Sequence, residues 1–155
     1  MNKFDEYKFF AQSTQFLTDK RQSATQTYLT VNSAIFAVLA FLIKDLEFKN
    51  WDLVIITIPL FTAGMLVCWI WKKLILQYKE LIRWRFDQLM KMEKAMPDSY
   101  QMYIKEWEDF YKTQPGKEKF GFSRLEIILP ILFMSLYFIF LGGLILATAL
   151  INGQN

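Results

Sequence analysis

LVIITIPLFTAGMLVCWIW (Leu53–Trp71) and IILPILFMSLYFIFLGGLILATALI (Ile127–Ile151) contain no charged residue, and none follows as far as Asn155. A helix needs about 20 residues to cross roughly 30 Å of hydrocarbon, so uncharged, mostly apolar runs of this length read as membrane spans. A third and softer run, Thr25–Ile43, is also uncharged. Thr27, Thr30, Asn32 and Ser33 lie in its first half, while Leu29 onward gives about four turns of apolar helix. The fold class that follows is an all-α membrane protein with three transmembrane helices. A soluble domain with buried core helices is the competing reading, and it has to explain all three runs at once.

Composition narrows the function classes. Of 155 residues, 54% are hydrophobic and 17% aromatic; there is no histidine, and the single cysteine, Cys68, sits inside the second apolar run. His-based acid/base catalysis, Cys/His zinc sites and internal disulfides are thereby excluded. No Ser/Lys pair, paired aspartates or Gly-rich phosphate loop is recognisable. The sequence therefore predicts no catalytic residues, no cofactor and no metal, and it disfavours a lipid-modifying enzyme. A net charge of +3 is too small to argue for nucleic acid as a partner. The first 24 residues mix Lys3, Asp5, Glu6, Asp19, Lys20 and Arg21 with amides, which is not a cleavable signal peptide. The first span is expected to act as its own insertion signal.

Lys and Arg distribution gives an expected topology. Met1–Ala24 holds four, Lys44–Asn50 two, Lys72–Arg124 twelve and the tail after the third span none. The positive-inside rule then places residues 1–24 and 72–124 on the cytoplasmic side of the membrane. The spans are 25–43, 51–71 and 125–151, the turn 44–50 and the tail 152–155 face outward, and the C-terminus is out. Trp51 opens the second span, and Trp69 and Trp71 close it just before Lys72 and Lys73. Amphipathic rings favour headgroup depth and lysines snorkel beyond it, so these five are expected anchors to membrane lipid.

The helices are predicted to outrun the membrane. No Pro or Gly precedes Pro59, so one helix from about Lys3 to Ile43 would be roughly 60 Å long. After the second span, Leu74, Tyr78, Leu81, Ile82, Phe86 and Leu89 continue an amphipathic helix towards Pro97. Asp98 with Gln101 predicts a capping box for a short helix carrying Met102, Tyr103, Trp107 and Phe110, ended by Pro115-Gly116. Ser123 with Glu126 suggests the same box for the third span, and Gly142-Gly143 a close-packing or flexing point.

The first helix carries a polar stripe. Gln12, Gln15, Asp19, Gln22, Gln26, Thr30 and Ser33 recur every three or four residues, within an arc of roughly 80°. Ala37, Ala40 and Lys44 extend the line outward, and Phe10, Leu17, Ala24, Tyr28, Val31, Leu39 and Leu42 occupy the other side. Such a stripe either packs against a neighbouring helix or lines a water-filled path, because polar groups at membrane depth are satisfied by protein or by water. Gln22, Gln26, Thr30 and Ser33 are the candidate pore-lining or inter-subunit residues, and either role calls for a homo-oligomer. Asn32 lies off the stripe and reads as a helix–helix contact.

Tyr7–Ile35 (YKFFAQSTQFLTDKRQSATQTYLTVNSAI), Ile58–Trp71 (IPLFTAGMLVCWIW) and Arg85–Glu93 (RFDQLMKME) resemble the small bacterial RipA-type octameric membrane proteins. The plan, over roughly two thirds of the chain, is also similar to SLATT-type membrane effectors of phage defence. The resemblance implies a homo-oligomeric ring, an octamer, in the inner membrane. It further implies a pore-forming effector of abortive infection, triggered by a phage or host protein on the cytoplasmic side. It supplies no active-site residues. The rival expectation is a non-conducting adaptor whose cytoplasmic helices bind a partner protein.

Overall fold

With nothing to interrupt it, the first segment forms a single helix, α1 (Lys3–Asp45). The computed structural model describes residues 2–45, 51–96, 99–112 and 122–153. Helix α2 (Trp51–Lys94) carries the second span and its extension without a break, a short α3 (Met102–Lys105) runs into a π-helical stretch (Glu106–Lys112), and α4 (Phe122–Asn152) carries the third span. Three of these helices are long and apolar enough to cross a membrane: Lys3–Lys44, Val54–Lys94 and Leu125–Ile151. At 1.5 Å per residue α1 and α2 are each roughly 65 Å long, about twice the hydrocarbon thickness.

Helix α2 is the centre of the bundle, with α1 and α4 packed along it. Its inward residues recur at alternating steps of four and three: Phe61, Gly64, Cys68, Trp71, Ile75, Tyr78, Ile82, Arg85 and Leu89. That is a heptad-type seam, the pattern that keeps one helix facing another over many turns. On α1 the residues Tyr7, Thr14, Arg21, Tyr28, Asn32, Ile35 and Leu39 turn inward with matching spacing. The sequence places the seam of the extension one residue away in part: Leu81 and Phe86 are exposed, and Ile75, Ile82 and Leu89 are buried.

Within the spans the core is Leu39, Val54, Phe61, Cys68, Tyr137 and Leu144, flanked by Ile35, Phe36, Phe133 and Met134. Gly64 decides how closely α4 approaches. A Cβ there would overlap the Tyr137 ring, which lies against α2 at this point. Gly142 and Gly143, in contrast, have nothing within 4 Å of a built Cβ, so the Gly-Gly pair is not a close-packing point within one protomer. Large apolar side chains such as Phe41, Ile55, Phe138, Ile139 and Leu146 point outward from the spans, as lipid contact requires.

Two cap expectations change. Ser123 lies inside α4, which begins at Phe122, and Glu126 turns towards α1 instead of back onto the helix start. Gln101 precedes α3 in a left-handed conformation (φ 50°) and makes no side-chain cap, while Asp98 lies outside the described residues. The expected ending at Pro115-Gly116, most of the 44–50 turn and the end of the tail also lie outside them.

Candidate functional site: a polar stripe and the ties behind it

The stripe residues all face away from their own protomer. Gln12, Gln15, Asp19, Gln22, Gln26, Thr30, Ser33, Ala37 and Ala40 are exposed. The inward face of α1, centred on Thr14, Arg21, Tyr28 and Asn32, lies well over 100° around the helix from them. The Thr30 hydroxyl donates to the Gln26 carbonyl (3.0 Å), and Thr27 donates to Ser23 (3.0 Å). Back-bonding of this kind satisfies a hydroxyl locally and leaves an oxygen lone pair facing outward.

Behind the stripe, polar ties join α1 to the other helices at four levels. Deepest in the spans is Asn32, fully buried. Its Oδ1 accepts from the Tyr137 hydroxyl (3.1 Å) and the Cys68 thiol (3.2 Å), and its Nδ2 donates to the Tyr28 carbonyl (2.8 Å). One amide thus holds all three spans, with Phe36 stacked on Tyr137 at 4.5 Å between ring centroids. An Asn in a heptad seam fixes register at some cost in stability. The expected helix–helix role of Asn32 is what the structure displays; its partners Tyr137 and Cys68 were invisible without the helix pairing.

At the base of the spans Arg21 Nε lies 3.2 Å from Glu126 Oε2, an ion pair by distance whose N–H is not aimed as a hydrogen bond. Both side chains are largely buried; the sequence alone assigns Glu126 to a local cap and does not pair it with Arg21. Trp71 belongs to the same level. Its ring is fully buried, stacked on Tyr28 (5.9 Å, 8° between planes) and tilted against Phe133, so it packs the bundle and does not serve as an outward-facing lipid anchor. The indole fits there because Tyr28 offers a flat face across the seam. Trp69 does point outward, half exposed, with Lys73 Nζ 4.1 Å over its ring; Lys72 is half-buried. Trp51 opens α2, and its side chain lies outside the described residues.

The third level is the far end of the extensions. Glu93 is buried, and its Oε1 accepts from the Tyr7 hydroxyl (2.7 Å) and the Tyr103 amide (3.1 Å). Its Oε2 accepts from the Ile104 amide (3.0 Å). A carboxylate from α2 therefore caps α3, doing what the predicted local box would have done. Burial, followed by the bonded Glu93 carboxylate, holds the Tyr7 hydroxyl well above the ordinary tyrosine range. At the fourth level, midway along, Arg85 donates to the Ser13 hydroxyl (2.8 Å) and lies 5.6 Å over the Phe10 ring.

A family profile matches residues 4–146, from the start of α1 to the last turns of α4. The chain belongs to the octameric membrane protein family (8xMP). The name of the 8xMP family supports both membrane association and homo-oligomerisation, and the three long apolar helices are of the kind such a family needs. No curated protein and no solved structure matches the chain. In an 8xMP protomer built this way, one face of α1 is committed to its own chain and the polar face is left for something else.

Proposed function

We propose that this 8xMP chain is a pore-forming effector of the bacterial inner membrane, acting without chemistry of its own. Eight copies form a ring, residues 1–24 and 72–124 lie in the cytoplasm, and the C-terminus lies outside. A phage or host protein trigger acts on the cytoplasmic helices, and the spans then permeabilise the membrane, arresting the cell before phage is released. The observation that carries this reading is the exposed stripe. Gln26, Thr30 and Ser33 lie within a span, face away from their own bundle, and are poorly suited to lipid.

A non-conducting adaptor is the second reading, and the back-bonded Thr27 and Thr30 favour it, since a hydroxyl so satisfied packs against a neighbour without needing water. Planar-bilayer recording of the purified oligomer separates the two. Conduction by the wild type, lost in an intact Thr30→Leu oligomer, is the expected result, because an apolar constriction dries a pore. Undiminished conductance in an intact Thr30→Leu oligomer removes the pore-lining assignment. Loss of the oligomer itself assigns the stripe to packing between copies.

A further inference from the structure

Between the extension of α2 and the 102–107 segment lies a cleft of about 240 Å³, outside the spans. Phe86, Tyr103 and Trp107 give it aromatic walls, and Asp87 and Glu106 bring carboxylates from opposite sides. Phe86 and Tyr103 meet edge to face at 5.4 Å, and Trp107 is half exposed. Arg83 also lines the cleft, one helical turn before Asp87 on the same helix, so these two charges offset each other and Glu106 sets the net sign. The field agrees: burial raises the Tyr103 hydroxyl above its ordinary range, and the Glu93 and Glu106 carboxylates push it further the same way.

The backbone around the cleft is unusual twice over. Gln101 adopts a left-handed conformation, and Glu106–Lys112 is π-helical, the wider turn that presents Glu106 and Trp107 to the cleft. A positive φ is uncommon for a non-glycine residue, a π-helical stretch is rare in any sequence, and both gather at functional sites. The cap supplied by Glu93 holds the segment that carries them.

We propose that this cleft binds an organic cation, a guanidinium or alkylammonium group laid against the aromatic faces and paired with Glu106. Ring faces attract such cations, and a carboxylate beside them adds a charge-assisted hydrogen bond. The volume suits one such group with its stem, and is below the 300–1,000 Å³ or so of pockets for drug-sized ligands. The group belongs either to a small metabolite or to a Lys or Arg side chain of a partner protein. The site stands whether or not the assembly conducts.

Calorimetric titration of the full-length protein in detergent tests it, with agmatine as the free cation, a short peptide containing one arginine as the side-chain form, and inorganic phosphate as the anion. Saturable binding of agmatine or the peptide is expected. It should weaken about tenfold or more in Glu106→Gln and in Trp107→Ala. It should be unchanged in Lys79→Gln, an exposed position outside the cleft. Tighter peptide than agmatine binding assigns the cation to a partner protein, and the reverse order to a metabolite. Binding of neither cation, binding unaffected by Glu106→Gln, or tighter binding of phosphate overturns the proposal, the last by showing that Arg83 governs the cleft.

Discussion

A methyl group at position 64 would occupy space that the Tyr137 ring fills, so Gly64→Ala must push the ring off α2 and strain its bond to Asn32. Overpacking of this kind costs about 1–3 kcal/mol. Tyr137→Phe keeps the ring and loses only the hydroxyl, for about 1 kcal/mol. Thermal melts of the purified protein in detergent should therefore rank wild type above Tyr137→Phe above Gly64→Ala. A Gly64→Ala protein that melts with the wild type would mean that the ring does not lie on α2. Little of this is legible in the residues themselves. A Gly-Gly pair inside an apolar run invites attention, whereas Gly64 acquires its meaning from a ring on another helix 73 positions later. Asn32 stands out because an amide in a span needs a partner, but nothing local says that the partner is a tyrosine and a thiol.

The elements themselves were readable because uncharged runs and, in α1, the lack of Pro or Gly constrain a chain strongly; α1 is as continuous as that argument requires, and α2 runs unbroken through Pro59 and Gly64. Connections between elements were harder. Ser123 and Glu126 have capping-box spacing, yet Glu126 is used by Arg21, a charge that comes to the same depth only once the helices align. Removing one partner of a buried pair strands the other at about 3–5 kcal/mol, while removing both is far milder. Arg21→Leu should accordingly lower the melting temperature markedly, and Arg21→Leu with Glu126→Leu should recover most of the loss. Equal melting of the single and double variants would show that the two side chains are independent.

Glu93 offers a local test of the tip. Bonds to a charged group are worth about 1.5–3 kcal/mol, so Glu93→Ala should speed hydrogen exchange at the Tyr103 and Ile104 amides by roughly tenfold to a hundredfold. Unchanged exchange at those two amides would remove Glu93 as the cap. Tyr7 adds a pH signature. Its hydroxyl is raised in the folded state, so its contribution is complete below the ordinary tyrosine value of about 10 and fades as pH climbs through the folded value. The tip should hold unchanged across neutral pH and loosen only in alkali. In Tyr7→Phe, near-ultraviolet dichroism should lose part of that alkaline transition.

Taken whole, the protomer leaves apolar side chains where no lipid reaches, if the extensions lie outside the membrane. Phe9 and Phe16 are 67% and 61% exposed on the extension of α1, beside the polar stripe. Contact between copies is the simplest use for them. Native mass spectrometry should report eight chains for the wild type and smaller species for Phe9→Ser with Phe16→Ser. An unchanged octamer would place the contact elsewhere. A reporter fused after Asn155 should read as outside and one within 112–120 as inside; a cytoplasmic C-terminus would contradict the Lys/Arg argument. The seam of α2 has a mechanical consequence as well. It runs from the spans to Leu89 with Pro59, near the opposite end, as the only proline inside that helix. Such a rod has no joint between its two halves. A push sideways at the tip has nowhere to concentrate as a hinge, but a twist applied there is delivered along the shaft to Asn32 and the stripe. In the ring proposed for this protein, each such shaft would carry a twist along its length.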